Sequence, residues 1–142
     1  MKRKTLLQKM AFFYALNFLI IVGLSHWPGL TDSEGRLLGL FIIDPMDDVF
    51  YLALGAIAEI VAWHSHKWTV FYFRFAGIPF LINAISGLLF SREFLNGDLF
   101  IQGFGSPNLT MQGLLNNGPH ILIPFSMLFI VFAYNRLFPN PV

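Results

Sequence analysis

The stretch Trp68–Phe90, WTVFYFRFAGIPFLINAISGLLF, decides the fold. Its length suits a helix crossing a hydrocarbon core about 30 Å thick, which takes roughly 17 to 25 residues. Arg74, Pro79 and Asn83 are its main interruptions. Proline removes one backbone donor and is expected to kink the helix, which a membrane bundle tolerates when neighbouring groups satisfy the freed carbonyl.

Three further apolar runs flank it. Downstream, a span over about 119–138 carries Pro124 as a second kink. Upstream, Val49–Trp63 is short for a bilayer and is expected to extend to about 46–66, with Asp47 and Asp48 near its start where acidic side chains favour the positive helix end. The first run, about 10–27, follows the basic opening Lys2, Arg3, Lys4 and Lys9. A signal peptide also starts this way, but Leu24-Ser25-His26-Trp27 lacks a small-residue cleavage pattern, so the segment is read as uncleaved. Trp27–Arg36 holds turn residues and charges, Leu37–Ile43 is apolar but too short to span, and Ser91–Gly118 is a long Gly- and Asn-rich connection. A connection of that length is expected to form an interfacial hairpin or short amphipathic helix.

Composition agrees. Of the 142 residues 56% are hydrophobic and 12% charged, with mean hydropathy +0.63. Nine Lys and Arg with eight Asp and Glu are too few to form the polar shell of a water-soluble domain. No basic patch points to nucleic acid. The absence of cysteine excludes disulfides, thiolate zinc sites, iron-sulfur clusters and cysteine nucleophiles. The expected fold class is therefore all-α integral membrane. A single domain, residues 1–142, forms a four-transmembrane-helix bundle with a long outer loop between spans three and four.

Charge sets the orientation. With the N-terminus in the cytoplasm, Lys2, Arg3, Lys4, Lys9, Lys67, Arg74 and Arg136 lie on or near that side, and only Arg36 and Arg92 lie outside. Both termini are then cytoplasmic, the membrane reads as a bacterial inner membrane, and Asp32, Glu34, Asp44, Asp47, Asp48, Glu93 and Asp98 collect outside. Trp27, Trp63 and Trp68 fall at interfaces, where an amphipathic ring is best placed.

Glu59 and Arg74 are the charged residues well inside spans. Counted from His64 and from Trp68, each is roughly 7 to 9 Å deep at about 1.5 Å per residue. Matched depth on adjacent antiparallel helices predicts an intramembrane ion pair acting as a structural clamp, with a proton or ion relay as the functional alternative and snorkelling of both groups to the interface as the third reading. At the outer side His26, Asp47, Asp48 and His120 lie at comparable depth. They are expected as interfacial caps and hydrogen-bonding groups, and are the only candidates for a metal or haem site. His64 and His66, two residues apart, point to different sides of a helix and read as headgroup-level residues.

Ala53, Gly55, Ala56 and Ala58 in span two, with Ala76, Gly77, Ala84, Ser86 and Gly87 in span three, are small residues that permit close helix contact. The 17 Phe read as packing bulk, although flat cofactors such as quinones or pigments could use such a surface. Asn108-Leu109-Thr110 is a glycosylation sequon that matters only in a eukaryotic secretory setting.

Asp48-Val49-Phe50-Tyr51-Leu52-Ala53-Leu54-Gly55 and Asn117-Gly118-Pro119-His120-Ile121-Leu122-Ile123-Pro124 place a capping side chain, an interfacial ring and a flexible or kinking residue in register. That opening resembles small uncharacterised bacterial four-span membrane proteins, a domain-of-unknown-function family in which spans two and four begin alike. The likeness covers about Asp44–Leu89 and Asn116–Tyr134, with Tyr51 where that family tends to have His and Pro124 where it tends to have Gly. It implies the four-span fold and no activity. The spans hold no nucleophile-and-base set, phosphate loop or metal motif. The expected function is a non-catalytic accessory or assembly component of a membrane complex, with lipid and other membrane subunits, or further copies of the chain, as partners. A small transporter using Glu59 and Arg74, and a haem, quinone or pigment protein using His26 and His120, are the alternatives.

Overall fold

In a computed structural model of the chain, which describes residues 4–33, 35–42 and 45–138, Ser65 alone interrupts the helix over residues 45–90. Lys2, Arg3, Glu34 and Asp44, used in the charge argument above, lie outside the described residues. Ser65 is extended, with φ −163° and ψ 157°, and its hydroxyl accepts from the Trp68 amide. It thus ends one helix and caps the next. The result is two antiparallel helices, α2 (Pro45–His64) and α3 (His66–Phe90).

The first helix, α1 (Leu6–Ser25), begins about four residues earlier than the apolar run implied. Thr5 and Gln8 form a capping box, each satisfying the other's backbone amide. That signal lies in the polar prelude and precedes the hydrophobic stretch. Lys4 Nζ and Gln8 Nε2 both donate to the Ala62 carbonyl, at 3.1 and 3.0 Å, so a cation and an amide complete the C-terminal end of α2. At the other end of α1, Ser25 and His26 bond Asp48 in the first turn of α2. Contacts at both ends make α1 and α2 antiparallel along their whole length.

After α3 the chain forms two short helices, α4 (Asp98–Gln102) and α5 (Met111–Asn116), then the last long helix, α6 (Gly118–Leu137). His66 at the start of α3 packs on Tyr134 near the end of α6, with ring centroids 5.3 Å apart, so α6 runs back along α3. Both α3 and α6 continue through their internal prolines, Pro79 and Pro124. The segment between α1 and α2 holds one antiparallel ribbon, β1 (Arg36–Leu37) with β2 (Phe41–Ile42). Its Phe41 ring lies beside Gly118, the first residue of α6.

Four long helices alternate in direction and enclose a core centred on Phe18, Tyr51, Tyr72, Phe73 and Met127. Phe18 stacks on Tyr51 at 5.5 Å, Tyr14 meets Phe73 edge-on at 5.3 Å, and Tyr14 and Ser126 share a 2.6 Å hydrogen bond between α1 and α6. The buried phenol of Tyr14 thus reaches a polar partner. The Tyr72 hydroxyl donates to the Leu54 carbonyl. Of the small residues, Gly55, Ala58, Ala76, Gly77, Ala84, Ser86 and Gly87 are buried, whereas Ala53 and Ala56 face outward. Gly77 lies so close to Leu128 that an added Cβ would stand 2.8 Å from its Cγ.

Among the described residues three helices, α1, α3 and α6, are long and apolar enough to cross a membrane, which marks a multi-pass membrane protein. The fourth long helix, α2, has the same length as α1 but carries Asp47, Asp48 and Glu59. Large apolar side chains such as Phe13, Ile60, Phe75 and Phe129 cover the outside of the bundle. In water such a surface would drive association; in lipid it is the solvated face. One end of the bundle is basic, with Lys4, Lys9, Lys67 and Arg136. The other carries Asp32, Asp47, Asp48, Glu93 and Asp98 together with Arg36 and Arg92.

Candidate functional site

At the acidic end the chain leaves α3 through Ser91, which adopts a left-handed conformation at φ 49°. Its hydroxyl donates to the Ser106 carbonyl at 2.7 Å, and the Asn108 amide donates to the Leu88 carbonyl at 2.9 Å. The 91–118 segment is thereby folded back over the end of the bundle. Beneath it is a cavity of about 280 Å³. Asp47 of α2 and His120 of α6 line it from the bundle side, and Arg92, Glu93 and Asp98 from the loop side. Amides complete the wall: Asn96, Asn108, Asn116 and Asn117.

Most of these groups are already engaged. Asp98 accepts from Asn96 and Gln102, Asn108 accepts from the Thr110 hydroxyl, Asn116 accepts from Gln112, and Asn117 donates to the Gly113 carbonyl. The sequon residues Asn108 and Thr110 thus serve as internal hydrogen-bonding and capping groups.

His120 differs. It is only 4% exposed, its Nε2 stands 3.9 Å from both Asp47 Oδ1 and Glu93 Oε1, and its Nδ1 is buried without a hydrogen-bond partner among the described residues. A separation of 3.9 Å is too long for a hydrogen bond. Arg92 Nε is also buried and unpartnered among the described residues, while Arg92 Nη1 donates to the Ser91 carbonyl. A buried donor or acceptor left unmatched costs about 1 to 3 kcal/mol.

Of the outer set expected from sequence, Asp47 and His120 come together in this cavity, whereas His26 and Asp48 form a separate pair at 2.9 Å. Adjacent helical residues diverge by about 100°, so Asp47 and Asp48 serve different histidines. The His26 side chain is 70% exposed and lies at the surface. No group of three or more His, Asp and Glu among the described residues is arranged to hold a metal ion. Glu93 and Arg92 escaped the sequence reading because they sit in a connection, and only the fold of that connection brings them to His120.

The expected clamp does not form. Glu59 is exposed on α2 beside Ile60, Trp63 and His64, and has no hydrogen-bond or ion-pair partner among the described residues. Arg74 is exposed on α3, its guanidinium 5.5 Å from the Phe132 ring of α6. The two match in depth but differ in azimuth. Glu59 follows Ala58 in a helix whose buried face is Tyr51, Gly55, Ala58 and Ala62, and Arg74 follows buried Phe73, so each is turned about 100° out of the core.

No family model, curated protein or solved structure matches the chain.

Proposed function

We propose that all four long helices cross the bilayer with the basic end in the cytoplasm, and that the protein is a non-catalytic accessory or assembly component of a bacterial inner-membrane complex. At about 1.5 Å per residue the 20 residues of α2 measure about 30 Å, the thickness of a hydrocarbon core. Asp47 and Asp48 then lie in the headgroup region at the helix start, where the dipole favours them. Placing both termini inside keeps Lys4, Lys9, Lys67 and Arg136 in the cytoplasm. Reporter fusions check this: fluorescent-protein fusions at either terminus should be bright and alkaline phosphatase fusions inactive. An active phosphatase at the C-terminus would mean an odd number of spans.

The observation that carries the assembly role is Glu59, a carboxylate on the outer face of a span among Ile60, Ala56 and Trp63, with no partner of its own among the described residues. A carboxylate turned toward lipid is unfavourable by up to about 2.5 to 3.5 kcal/mol near a helix centre. A cationic or hydrogen-bonding helix of a neighbouring subunit relieves it, and outward-facing Ala53 and Ala56 allow close approach. The outward placement of both Glu59 and Arg74 favours the assembly reading over a carrier.

Solubilised in mild detergent from its native membrane, the wild-type chain should migrate in a particle larger than the monomer. Glu59→Leu should weaken that association about tenfold, the effect of losing one hydrogen bond to a charged group. A wild-type chain that is monomeric under these conditions would remove the proposal.

A further inference from the structure

Building on the assembly role proposed above, on which this step rests, we propose that the neighbour of Glu59 is a second copy of this chain and that Arg74 of that copy supplies the cation. Each copy carries one carboxylate and one guanidinium well inside its spans. Both are exposed, and neither has a hydrogen-bond or ion-pair partner among the described residues. Arg136 differs, because it sits in the last turn of α6, where headgroups and the helix dipole receive it. A foreign subunit that neutralised Glu59 would leave Arg74 facing lipid. Contact between copies relieves both charges at once.

Depth permits the pairing. Charge bias inserts every copy in the same orientation, so groups at one depth in one copy meet groups at that depth in the next. Counted from Ser65, Glu59 lies six residues in and Arg74 nine, about 9 and 13.5 Å along their helices. Side chains lean toward the N-terminus of their own helix, and α2 and α3 are antiparallel, so Glu59 leans toward the membrane centre and Arg74 toward the cytoplasmic end. The guanidinium lies accordingly: it is 5.5 Å from the ring of Phe132, two residues from the Tyr134 that packs on His66 at the start of α3. The two charges converge in depth.

Shape agrees with charge. Beside Glu59 the exposed side chains of Ile60 and Trp63 form a ridge, and Trp63 packs edge-on against Phe12 of α1. Beside Arg74, α3 and α6 form an open apolar groove of about 510 Å³, lined by Leu81, Phe125, Leu128, Phe129 and Phe132. Ile60 is four residues inside His64, and Phe129 is five inside Tyr134, so ridge and groove are level. One patch is on the α1 and α2 face and the other on the α3 and α6 face. A contact between unlike patches is heterologous: it repeats from copy to copy and closes as a ring about an axis normal to the bilayer, which keeps every depth equal.

The chain has no cysteine, so introduced cysteines report contact on a clean background. Ile60→Cys and Phe129→Cys keep both charges. Oxidation in native membranes should link a copy carrying one to a copy carrying the other, while either variant alone gives no link and both in one chain give a ladder beyond the dimer. In mild detergent Glu59→Arg and Arg74→Glu should each weaken association about tenfold or more, the scale of one charge-assisted hydrogen bond. The double reversal should restore it, which a failure to fold would not allow. A particle larger than the monomer that holds a single copy by native mass spectrometry overturns the second-copy partner and leaves the assembly role standing, whereas a wild-type monomer removes both. Copies that associate without the Ile60-to-Phe129 link, or whose association ignores the single reversals or is not restored by the double one, overturn the proposal. So does phosphatidylglycerol that copurifies with the wild type and is lost in Arg74→Glu while association persists, since an anionic lipid then holds the guanidinium.

Discussion

Replacing Phe73 with alanine should lower the unfolding free energy of the detergent-solubilised protein by about 3 kcal/mol, the lower end of the ~3 to 5 kcal/mol range for buried Phe→Ala in water-soluble proteins. The ring is fully buried in α3, meets Tyr14 of α1 edge-on at 5.3 Å and lies beside Tyr72 at 5.5 Å. In a membrane protein the water-to-core transfer contribution largely drops out, because lipid tails surround the ring in the unfolded reference as well. What remains is lost dispersion contact, lost edge-to-face geometry and the void itself. Phe75 supplies the contrast on the same helix: it is 67% exposed, and Phe75→Ala should change stability by no more than about 0.5 kcal/mol. Denaturant titration of both variants in one detergent checks the pair. Equal losses would mean that the face of α3 turned toward α1 has been misassigned.

That contrast also shows how far the sequence could be read. The number of long helices, their antiparallel order and the sorting of basic from acidic ends follow from run length and charge placement, and those regularities survive in the structure. The start of α1 was less legible, because Thr5 and Gln8 act through hydrogen bonds rather than apolar content. Depth along a helix was legible for Glu59 and Arg74, since it needs only a residue count. Their azimuth needs the helical period as well. The periodicity of Tyr51, Gly55, Ala58 and Ala62 places Glu59 off the buried face, and that signal was present in the chain.

The candidate site was half legible for a different reason. Asp47 and His120 sit at helix starts on the same end of the bundle, so topology alone brings them near each other. Arg92 and Glu93 depend on how 91–118 folds back, which is fixed by Ser91 turning left-handed and by single hydrogen bonds such as that from the Asn108 amide to Leu88. None of these has a hydrophobic period to read. Beside these bonds and ring pairs such as Phe90 with Phe104, the close approach of Gly113 to Asn108 positions this part of the chain.

Gly113 is the test of that last point. It is buried in α5, its amide donates to the Thr110 hydroxyl, and an added Cβ would collide with the Asn108 backbone carbonyl. Two effects of Gly113→Ala oppose each other. Alanine is favoured over glycine inside a helix by about 0.8 to 1 kcal/mol, whereas forcing a methyl into a filled space costs typically about 1 to 3 kcal/mol. The Asn108 side chain can swing aside, but its carbonyl is backbone, held by the bond from the Asn108 amide to Leu88, and yields less readily. The clash should therefore win, with a net loss of up to about 2 kcal/mol and a displaced Asn108 in the cavity wall. Gln112→Ala, exposed and one residue away, should be close to neutral, apart from its hydrogen bond to Asn116. Should Gly113→Ala instead melt higher than wild type, helix propensity would outweigh the contact, and the 91–118 segment could not be resting on α3 through Asn108.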